Sequence, residues 1–413
     1  MKIRPFKGLR PARDRVHLVA SPPYDVLSSN EARADAAGNP LSFLNVVKSE
    51  ITLPEHVDHD APEVYEAARQ NFQRLVEDGV FFRDTQDCLY LYELTMNGRP
   101  QDGIVACASV QDYMEGRIKK HELTRPDKET DRKHHVRVSM MNAEPVFFAY
   151  PASVDIDRIV EQVKEHDPEY DFETEDSITH RLWVIAERGT IDGLVGAFSG
   201  MPATYVADGH HRTAAAALVG DELRKENPSH SGQEEYNYFL AAHFPDNQLT
   251  ILDYNRVVKD LNGHSPASLI EALRRSFDVT DAGADPFKPT ALHEFGMYLD
   301  GSWYKLNARN GTYDDTDPIG VLDVTILSEE ILKPLLNIHD LRTDERIDFV
   351  GGMRGLPELR RRVDSGDMQA AFALFPVSMK QVTDIADSGK IMPPKTTWFE
   401  PKLRSGLVVH SLA

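Results

Sequence analysis

One stretch, residues 205–217 (YVADGHHRTAAAA), constrains this chain more than any other. Residues 203–207 form a short apolar run with Thr, Tyr and Val, which is typical of a buried strand. Asp208-Gly209 is a turn signal, and the alanine-rich run that follows favours a helix. Residues 205–217 therefore predict a strand, a tight turn and a helix. The sequence leaves open whether this helix ends at Gly220 or continues beyond it.

The start of that helix carries an unusual concentration of polar groups, from Asp208 to Arg212. Free backbone N–H groups and the positive end of the helix dipole favour an anion there. Arg212 can bind two phosphate oxygens at once. Asp208 would repel a bare phosphate but suits one carried with Mg²⁺. The pattern predicts a phosphate or metal–nucleotide site.

A plainer interpretation gives the same residues no function. Asp208 would be only an N-cap, and His210 and His211 would be solvated residues of a first turn. One argument speaks against this interpretation. Burying so many polar groups at the end of a strand costs free energy unless they bind a ligand.

The composition excludes several classes of partner. The net charge of −20 disfavours nucleic-acid binding, because phosphate backbones would be repelled. No apolar run is long enough to span a membrane, and the N-terminus lacks the apolar core of a signal peptide. Cys88 and Cys107 lie far apart and suggest buried thiols in a reducing compartment. We therefore expect a cytoplasmic protein without nucleic-acid or membrane partners.

Predicted strands and helices alternate along the chain, which indicates an α/β fold with a mixed sheet (α+β). Two of the predicted elements are helices: one over 62–78, and one opened by a capping box from Ser378 to Gln381. Two others are hairpins, which turn on Asn97-Gly98 and on Asp300-Gly301. No phosphate-loop, zinc-protease, nucleophile-elbow or kinase motif occurs.

Two further segments carry candidate chemistry. A basic segment, residues 117–137, would supply a basic wall beside a polyphosphate or else a solvated charged face. A metal-dependent hydrolase is conceivable from six residues: His121, Glu122, His134, His135, His210 and His211. Adjacent histidines on a helix point roughly 100° apart, so neither HH pair readily gives two ligands to one metal.

The C-terminal segment 392–407 contains three prolines and is predicted to be stiff and extended. Lys395 is its best candidate for a phosphate contact. The alternative is a strap that packs Trp398 and Phe399 into the core. Both interpretations can hold together.

Four motifs in order, SPPYDV, IKKHELT…KETDR, YVADGHHR and MPPKTTWFEPKLRSGL, together resemble the domain of unknown function 1015 family over nearly the whole chain. The DGHHR element is also similar to the D-G-H-x-R box of ParB/sulfiredoxin-like proteins, which include archaeal free serine kinases. The family usually has Ser-Thr-Tyr-Phe after Pro-Pro-Lys, whereas this chain has Thr396-Thr397-Trp398-Phe399.

The resemblance implies a ParB/sulfiredoxin-like nucleotide-binding core over residues 1–262. A C-terminal α/β domain, 263–413, would return its segment 392–407 to the site. The implied reaction is phosphoryl transfer from ATP or ADP, with Mg²⁺, to the hydroxyl of free L-serine. Nucleotide and L-serine are the expected partners, and a homodimer is the assembly we allow for.

The resemblance also suggests roles for individual residues. Phosphates would be held by Gly209, His210, His211, Arg212 and Lys395. Asp208 would bind Mg²⁺ and, with His210, belong to the catalytic group. The proton acceptor would be Glu122 or, second, Asp25, and the sequence does not choose between them. Substrate contacts would come from Tyr24, His121 and Arg132.

Two other functions stay open at this stage. A nucleotide-binding regulatory module of ParB type would bind nucleotide without an amino-acid substrate. A metal-dependent hydrolase would lose activity to chelators and would not need nucleotide. Sulfiredoxin chemistry is disfavoured, because no cysteine lies in the DGHHR element.

Overall fold

A computed structural model describes residues 1–413 and divides into two compact units. The first unit comprises Met1–Leu249 and Pro401–Ala413, and the second comprises Thr250–Glu400. We expected the division after residue 262. It falls after Leu249 because the strand Tyr254–Val258 pairs on both edges within the sheet of the second unit.

The first unit contains thirteen strands and nine α-helices. Its strands are β1 (Ile3–Arg4), β2 (Leu9–Pro11), β3 (Phe81–Arg83), β4 (Leu89–Met96), β5 (Arg99–Ser109), β6 (Ile118–Lys119), β7 (Met141–Asn142), β8 (Val146–Tyr150), β9 (Tyr170–Glu173), β10 (Thr179–Ile185), β11 (Thr204–Asp208), β12 (Tyr238–Pro245) and the last strand of the chain, β21 (His410–Ser411). Its helices are α1 (Val16–Val19), α2 (Ser29–Asp35), α3 (Leu44–Val47), α4 (Pro62–Glu77), α5 (Val110–Met114), α6 (Pro126–Ser139), α7 (Val154–Lys164), α8 (Arg188–Ser199) and α9 (His210–Glu226).

The main sheet of this unit is mixed, in the order β6-β11-β8-β12-β5-β4-β10-β9. The β11–β6 and β12–β8 pairs are parallel, and the other pairs along the sheet are antiparallel. Every residue of β8 and β12 is buried, which suits central strands covered on both faces. The predicted mixed α/β class is confirmed.

Local sequence signals explain several of these elements. The β4–β5 hairpin turns on Asn97 and Gly98, both with positive φ (54° and 75°), as predicted. Helix α4 has Pro62 in its first turn and buries one apolar face, also as predicted. The sequence predicts no element over α8, because its three glycines lower its helix propensity. Packing of Ile191, Leu194 and Phe198 into the core stabilises α8 instead.

Helix α9 continues through Gly220 to Glu226, which answers the question that the sequence left open. A Cβ atom added at Gly220 would lie 2.3 Å from the Tyr236 carbonyl oxygen and 3.0 Å from Val110 Cγ2. Gly220 is therefore a packing residue inside the helix, where the backbone of a neighbouring segment approaches closely.

The second unit has its own sheet and core. Its strands are β13 (Thr250–Ile251), β14 (Tyr254–Val258), β15 (Phe277–Gly283), β16 (Glu294–Leu299), β17 (Ser302–Ala308), β18 (Ile347–Gly351), β19 (Ala370–Leu374) and β20 (Phe399–Glu400). Its helices are α10 (Pro266–Leu273), α11 (Asp323–Leu327), α12 (Gly355–Asp364) and α13 (Met379–Asp387), with a π-helical turn at Ser328–Leu332.

Six of these strands form an antiparallel sheet in the order β15-β17-β16-β19-β14-β18. The predicted hairpin at Asp300-Gly301 and the capping box of Ser378 with Gln381 are both present. Phe399 is buried in β20, which pairs with β13, so this part of the C-terminal segment packs within the second unit.

Two expectations from composition can be compared with the structure. No helix is long and apolar enough to cross a membrane. Cys88 and Cys107 are both free thiols and both buried, as expected.

Two helical glycines should respond in opposite directions to alanine. We expect Gly220→Ala to lower the free energy of unfolding by about 1–3 kcal/mol, because the added methyl group meets backbone that cannot move aside. Gly196 of α8 has no atom within 4 Å of an added Cβ. Gly196→Ala should therefore raise the free energy of unfolding by about 0.5–1 kcal/mol, the usual gain in helix propensity. Urea unfolding of both variants tests this, and a gain in stability for Gly220→Ala would contradict the packing assignment.

Candidate functional site

The predicted strand, turn and helix of the DGHHR element are present as β11, Gly209 and α9. Gly209 has a φ of 87°, in the left-handed region that disfavours other residues. A Cβ there would lie 3.1 Å from Arg212 Nε. The Gly209 carbonyl accepts hydrogen bonds from both the backbone N–H and the hydroxyl of Thr213, each at 2.9 Å. This turn therefore needs glycine both for its backbone angle and for space.

Arg212 lies within the first turn of α9, and its side chain is only 10% exposed. Its Nη1 donates to the Pro145 carbonyl at 2.9 Å, and its Nε is buried without a hydrogen-bond partner. Burial favours the neutral form, but the negative charges of Glu144, Asp25 and Asp208 hold the pKa of Arg212 above its ordinary value. The guanidinium stays charged, and its Nε–H donor makes no hydrogen bond within the protein.

Asp208, at the end of β11, lies between two cations. Lys402 Nζ is 3.2 Å from Asp208 Oδ2, and Arg212 Nη2 is 3.8 Å from the same oxygen. Burial would raise the pKa of Asp208, but the charges of Lys402 and Arg212 outweigh that effect and hold the pKa well below its usual range. Asp208 is therefore ionised at neutral pH.

The contact of Lys402 with Asp208 was not predicted from the sequence. Lys402 lies in the predicted segment 392–407, but Lys395 was favoured there. Lys395 belongs to the second unit, where its ammonium lies 5.7 Å from the centre of the Tyr254 ring and its carbonyl accepts from Arg256 Nη2 at 2.9 Å. Both lysines share one stiff motif, and only the tertiary structure brings Lys402 to Asp208. The phosphate role of Lys395 stays a prediction.

The structure brings three of the predicted binding residues close to one another, together with Glu144. The Arg132 guanidinium lies 4.1 Å from the centre of the Tyr24 ring. Arg132, Arg212 and Glu144 line one small cavity. Glu144 Oε1 accepts hydrogen bonds from the Tyr24 backbone N–H at 3.0 Å and from the Ser405 hydroxyl at 2.9 Å. Glu144 carries no motif signal, since it is an isolated carboxylate in the sequence.

His121, Glu122 and His210 form a second group. One ligand atom from each lies within 4.8 Å of the other two. His210 Nδ1 is 3.9 Å from Glu122 Oε2, and the His121 and His210 rings meet edge to face with centres 4.5 Å apart. Burial lowers the pKa of His121 to about 4 and places that of His210 well below its usual value. Both imidazoles are therefore neutral at pH 7.

The other histidines of the proposed hydrolase have different partners. His211 Nε2 accepts a hydrogen bond from the Arg125 backbone N–H at 3.0 Å, which ties α9 to the start of α6. His135 is buried, with Nε2 3.1 Å from the Val46 carbonyl oxygen, and His134 is exposed. The structure therefore brings together His121, Glu122 and His210 from the six residues considered.

The candidate proton acceptors differ in their surroundings. Glu122 is 39% exposed and lies next to His210. Asp25 is exposed and acts electrostatically on Arg212 and His211. Both carboxylates thus belong to the electrostatic environment of the first turn of α9, and the geometry does not choose between them.

Comparison with known proteins places the chain in a family. A family model described as protein of unknown function (DUF1015) matches residues 3–325, and the chain belongs to this family. No curated protein sequence matches the chain.

Several solved structures share part of the fold. A free serine kinase mutant in complex with AMP is 11% identical with a TM-score of 0.37, and the match covers 73% of this chain and 91% of that one. SbnI from Staphylococcus aureus, truncated at its C-terminus, is 11% identical with a TM-score of 0.38, covering 72% and 82%. A conserved hypothetical protein from Pyrococcus furiosus is 13% identical with a TM-score of 0.34, covering 73% and 95%. These scores are too low to transfer a property to this chain.

The Asp208 carboxylate should make the stability of the protein depend on pH. Its folded pKa lies below the unfolded value of about 3.9, so its stabilisation is present above the unfolded pKa and is lost as the pH falls through the folded pKa. We expect Asp208→Asn to lower the free energy of unfolding by about 1–3 kcal/mol at neutral pH, and the difference from the unaltered protein to shrink below about pH 4. Urea unfolding at neutral and acidic pH measures both differences.

Asp14→Asn is the matched control, since Asp14 is exposed and pairs only with neighbouring Arg15. It should leave the free energy of unfolding within about 0.5 kcal/mol of the original. An Asp208→Asn difference of the same size at both pH values would contradict the assigned ion pairs.

Proposed function

We propose that this protein is a nucleotide-dependent kinase that phosphorylates the hydroxyl group of free L-serine, giving O-phospho-L-serine, with ATP or ADP as the donor. The observation that carries the proposal is the buried, charged Arg212 at the start of α9, whose Nε has no partner in the protein. An orphaned buried donor costs free energy that a bound phosphate oxygen would recover.

Phosphoryl transfer mostly requires positioning and neutralisation of charge. The first N–H groups of α9, at His210 to Arg212, face the anion site that a helix N-terminus provides. Gly209 lets the backbone turn without a side chain above this site. In the proposed assignment Gly209, His210, His211 and Arg212 hold the phosphates.

The donor set fits Mg²⁺ carried with the nucleotide. Mg²⁺ is usually held by one or two carboxylates together with substrate phosphates and water, and Asp208 is an ionised carboxylate at the end of β11. When bound, the ion would neutralise part of the phosphate charge. Lys402 and Arg212 would keep Asp208 oriented and would add positive charge of their own.

A carboxylate or a histidine must accept the proton of the serine hydroxyl as its oxygen attacks phosphorus. The bond from phosphorus to the bridging oxygen breaks, which releases ADP from ATP or AMP from ADP. Glu122 is the first candidate and Asp25 the second, with Asp208 and His210 completing the catalytic group. Arg132, lying over Tyr24, would bind the serine carboxylate, and His121 would contact the substrate beside Glu122. The proximity of Glu122 to His210 and the shared cavity of Arg132 and Arg212 support these proposed roles.

A product assay tests the proposal. Purified protein with Mg²⁺ and either ATP or ADP, with and without L-serine, should form phosphoserine detectable by mass spectrometry only where serine is present. The nucleotide in the reaction that forms phosphoserine is the phosphoryl donor. Bound or slowly hydrolysed nucleotide without phosphoserine would instead favour the ParB-type regulatory module or another acceptor.

The activity should depend on the shape of the Arg212 guanidinium as well as on its charge. We expect Arg212→Ala to lower kcat/KM at least about tenfold, the order for loss of a charged phosphate contact. Arg212→Lys is the matched variant, which keeps the charge but loses the second donor of a bidentate contact. It should recover only part of the activity. Unchanged turnover in the alanine variant, with folding verified by its Tm, would remove Arg212 from the site.

The two candidate bases can be separated by isosteric amides. If Glu122 accepts the proton, Glu122→Gln should lower kcat by about 10²–10⁴-fold while nucleotide affinity stays within about threefold. Asp25→Asn is the matched variant and should then have the smaller effect. The reverse order would assign the base to Asp25, and an equally small effect of both would mean that neither carboxylate is the base.

A further inference from the structure

We infer that His121, Glu122 and His210 form a binding site for a first-row transition metal ion such as Zn²⁺, distinct from the Mg²⁺ that would accompany the nucleotide. The proposal concerns the resting protein. The binding itself does not depend on the proposed kinase activity.

The sheet explains why these residues meet. Strands β6 and β11 are parallel neighbours, with Ile118 opposite Thr204 and Lys119 opposite Tyr205. The carboxyl ends of parallel neighbours lie at the same edge of a sheet, which is where α/β proteins bind ligands. His121 and Glu122 follow β6 after a single residue, Lys120, and His210 follows β11 after the turn at Gly209. Two segments far apart in sequence thus contribute to one edge.

The distances suit an ion. His210 Nδ1 and Glu122 Oε2 are 3.9 Å apart, too far for a hydrogen bond. Zinc binds nitrogen and carboxylate oxygen at roughly 2.0–2.2 Å each, so an ion fits between two such atoms. All three ligand atoms lie within 4.8 Å of one another, and small side-chain rotations would close the remaining gap.

The donor chemistry favours a transition metal over Mg²⁺. Mg²⁺ prefers oxygen ligands, whereas two imidazoles and one carboxylate suit Zn²⁺ and its neighbours. Three protein ligands leave an open position for water or substrate. His210 Nε2 is also buried without a hydrogen-bond partner.

The His121 ring is held in an orientation that suits metal coordination. His121 is hydrogen-bonded to the Val206 backbone carbonyl, a contact that commonly orients a ligating histidine and leaves the lone pair on its other nitrogen.

A bound ion would have a consequence for the proposed reaction. A carboxylate that coordinates a metal cannot readily accept a proton. If Glu122 is the base, Zn²⁺ should inhibit phosphoserine formation, and a chelator should restore it. This consequence rests on the proposed function, whereas metal binding can be measured without nucleotide or serine.

The test uses the full chain, stripped with a chelator and titrated with Zn²⁺ against a chromophoric competitor. Co²⁺ serves as a second probe, because its visible spectrum reports nitrogen and oxygen ligation. We expect one ion per chain. His121→Asn, Glu122→Gln and His210→Asn should each weaken binding at least about tenfold, the order seen when metal-site contacts are lost.

His134→Asn is the matched control, because His134 is exposed and lies outside the group. It should change the affinity by less than about twofold. If a variant of a buried histidine fails to fold, the Zn²⁺ affinity of Glu122→Gln tests the site, because Glu122 is partly exposed. Absence of stoichiometric binding, or binding unchanged by Glu122→Gln, overturns the proposal. Tight Zn²⁺ binding, together with no phosphoserine from the metal-stripped protein assayed with Mg²⁺, would retain the metal site and remove the proposed serine kinase.

Discussion

The left-handed turn at Gly209 is the constraint on which the site depends. It reverses the chain between β11 and α9 within one residue, so Asp208 ends the strand and His210 begins the helix. A Cβ at this position would lie only 3.1–3.2 Å from the Arg212 guanidinium. A residue with a Cβ would therefore strain the backbone and push against the Arg212 side chain.

Around this turn, buried charges neutralise one another. Asp208 is held by Lys402 and Arg212, while Arg212 is kept charged by Glu144, Asp25 and Asp208. An isolated charge at such a position would be lost to a shifted pKa or would destabilise the fold. These opposite charges instead keep Asp208 and Arg212 ionised in a largely buried site, where electrostatic interactions are stronger than in water.

Much of the local structure followed from short-range signals. The glycine and asparagine of the β4–β5 turn, the capping box of Ser378 and the strand, turn and helix around Gly209 were all predictable, because backbone sterics and capping act within a few residues. Helix α8 was not, since packing rather than propensity forms it. Gly220 was ambiguous for a similar reason: its role depends on the Tyr236 carbonyl, which reaches it from another segment.

The sequence by itself determined the family, the mixed α/β class and the residues at the start of α9. The tertiary structure alone decided which distant groups join them. The parallel pairing of β6 with β11 brings His121 and Glu122 to His210, and the C-terminal segment supplies Lys402 to Asp208. Such pairings arise from burial and long-range strand order, which are not encoded in the spacing of any one motif.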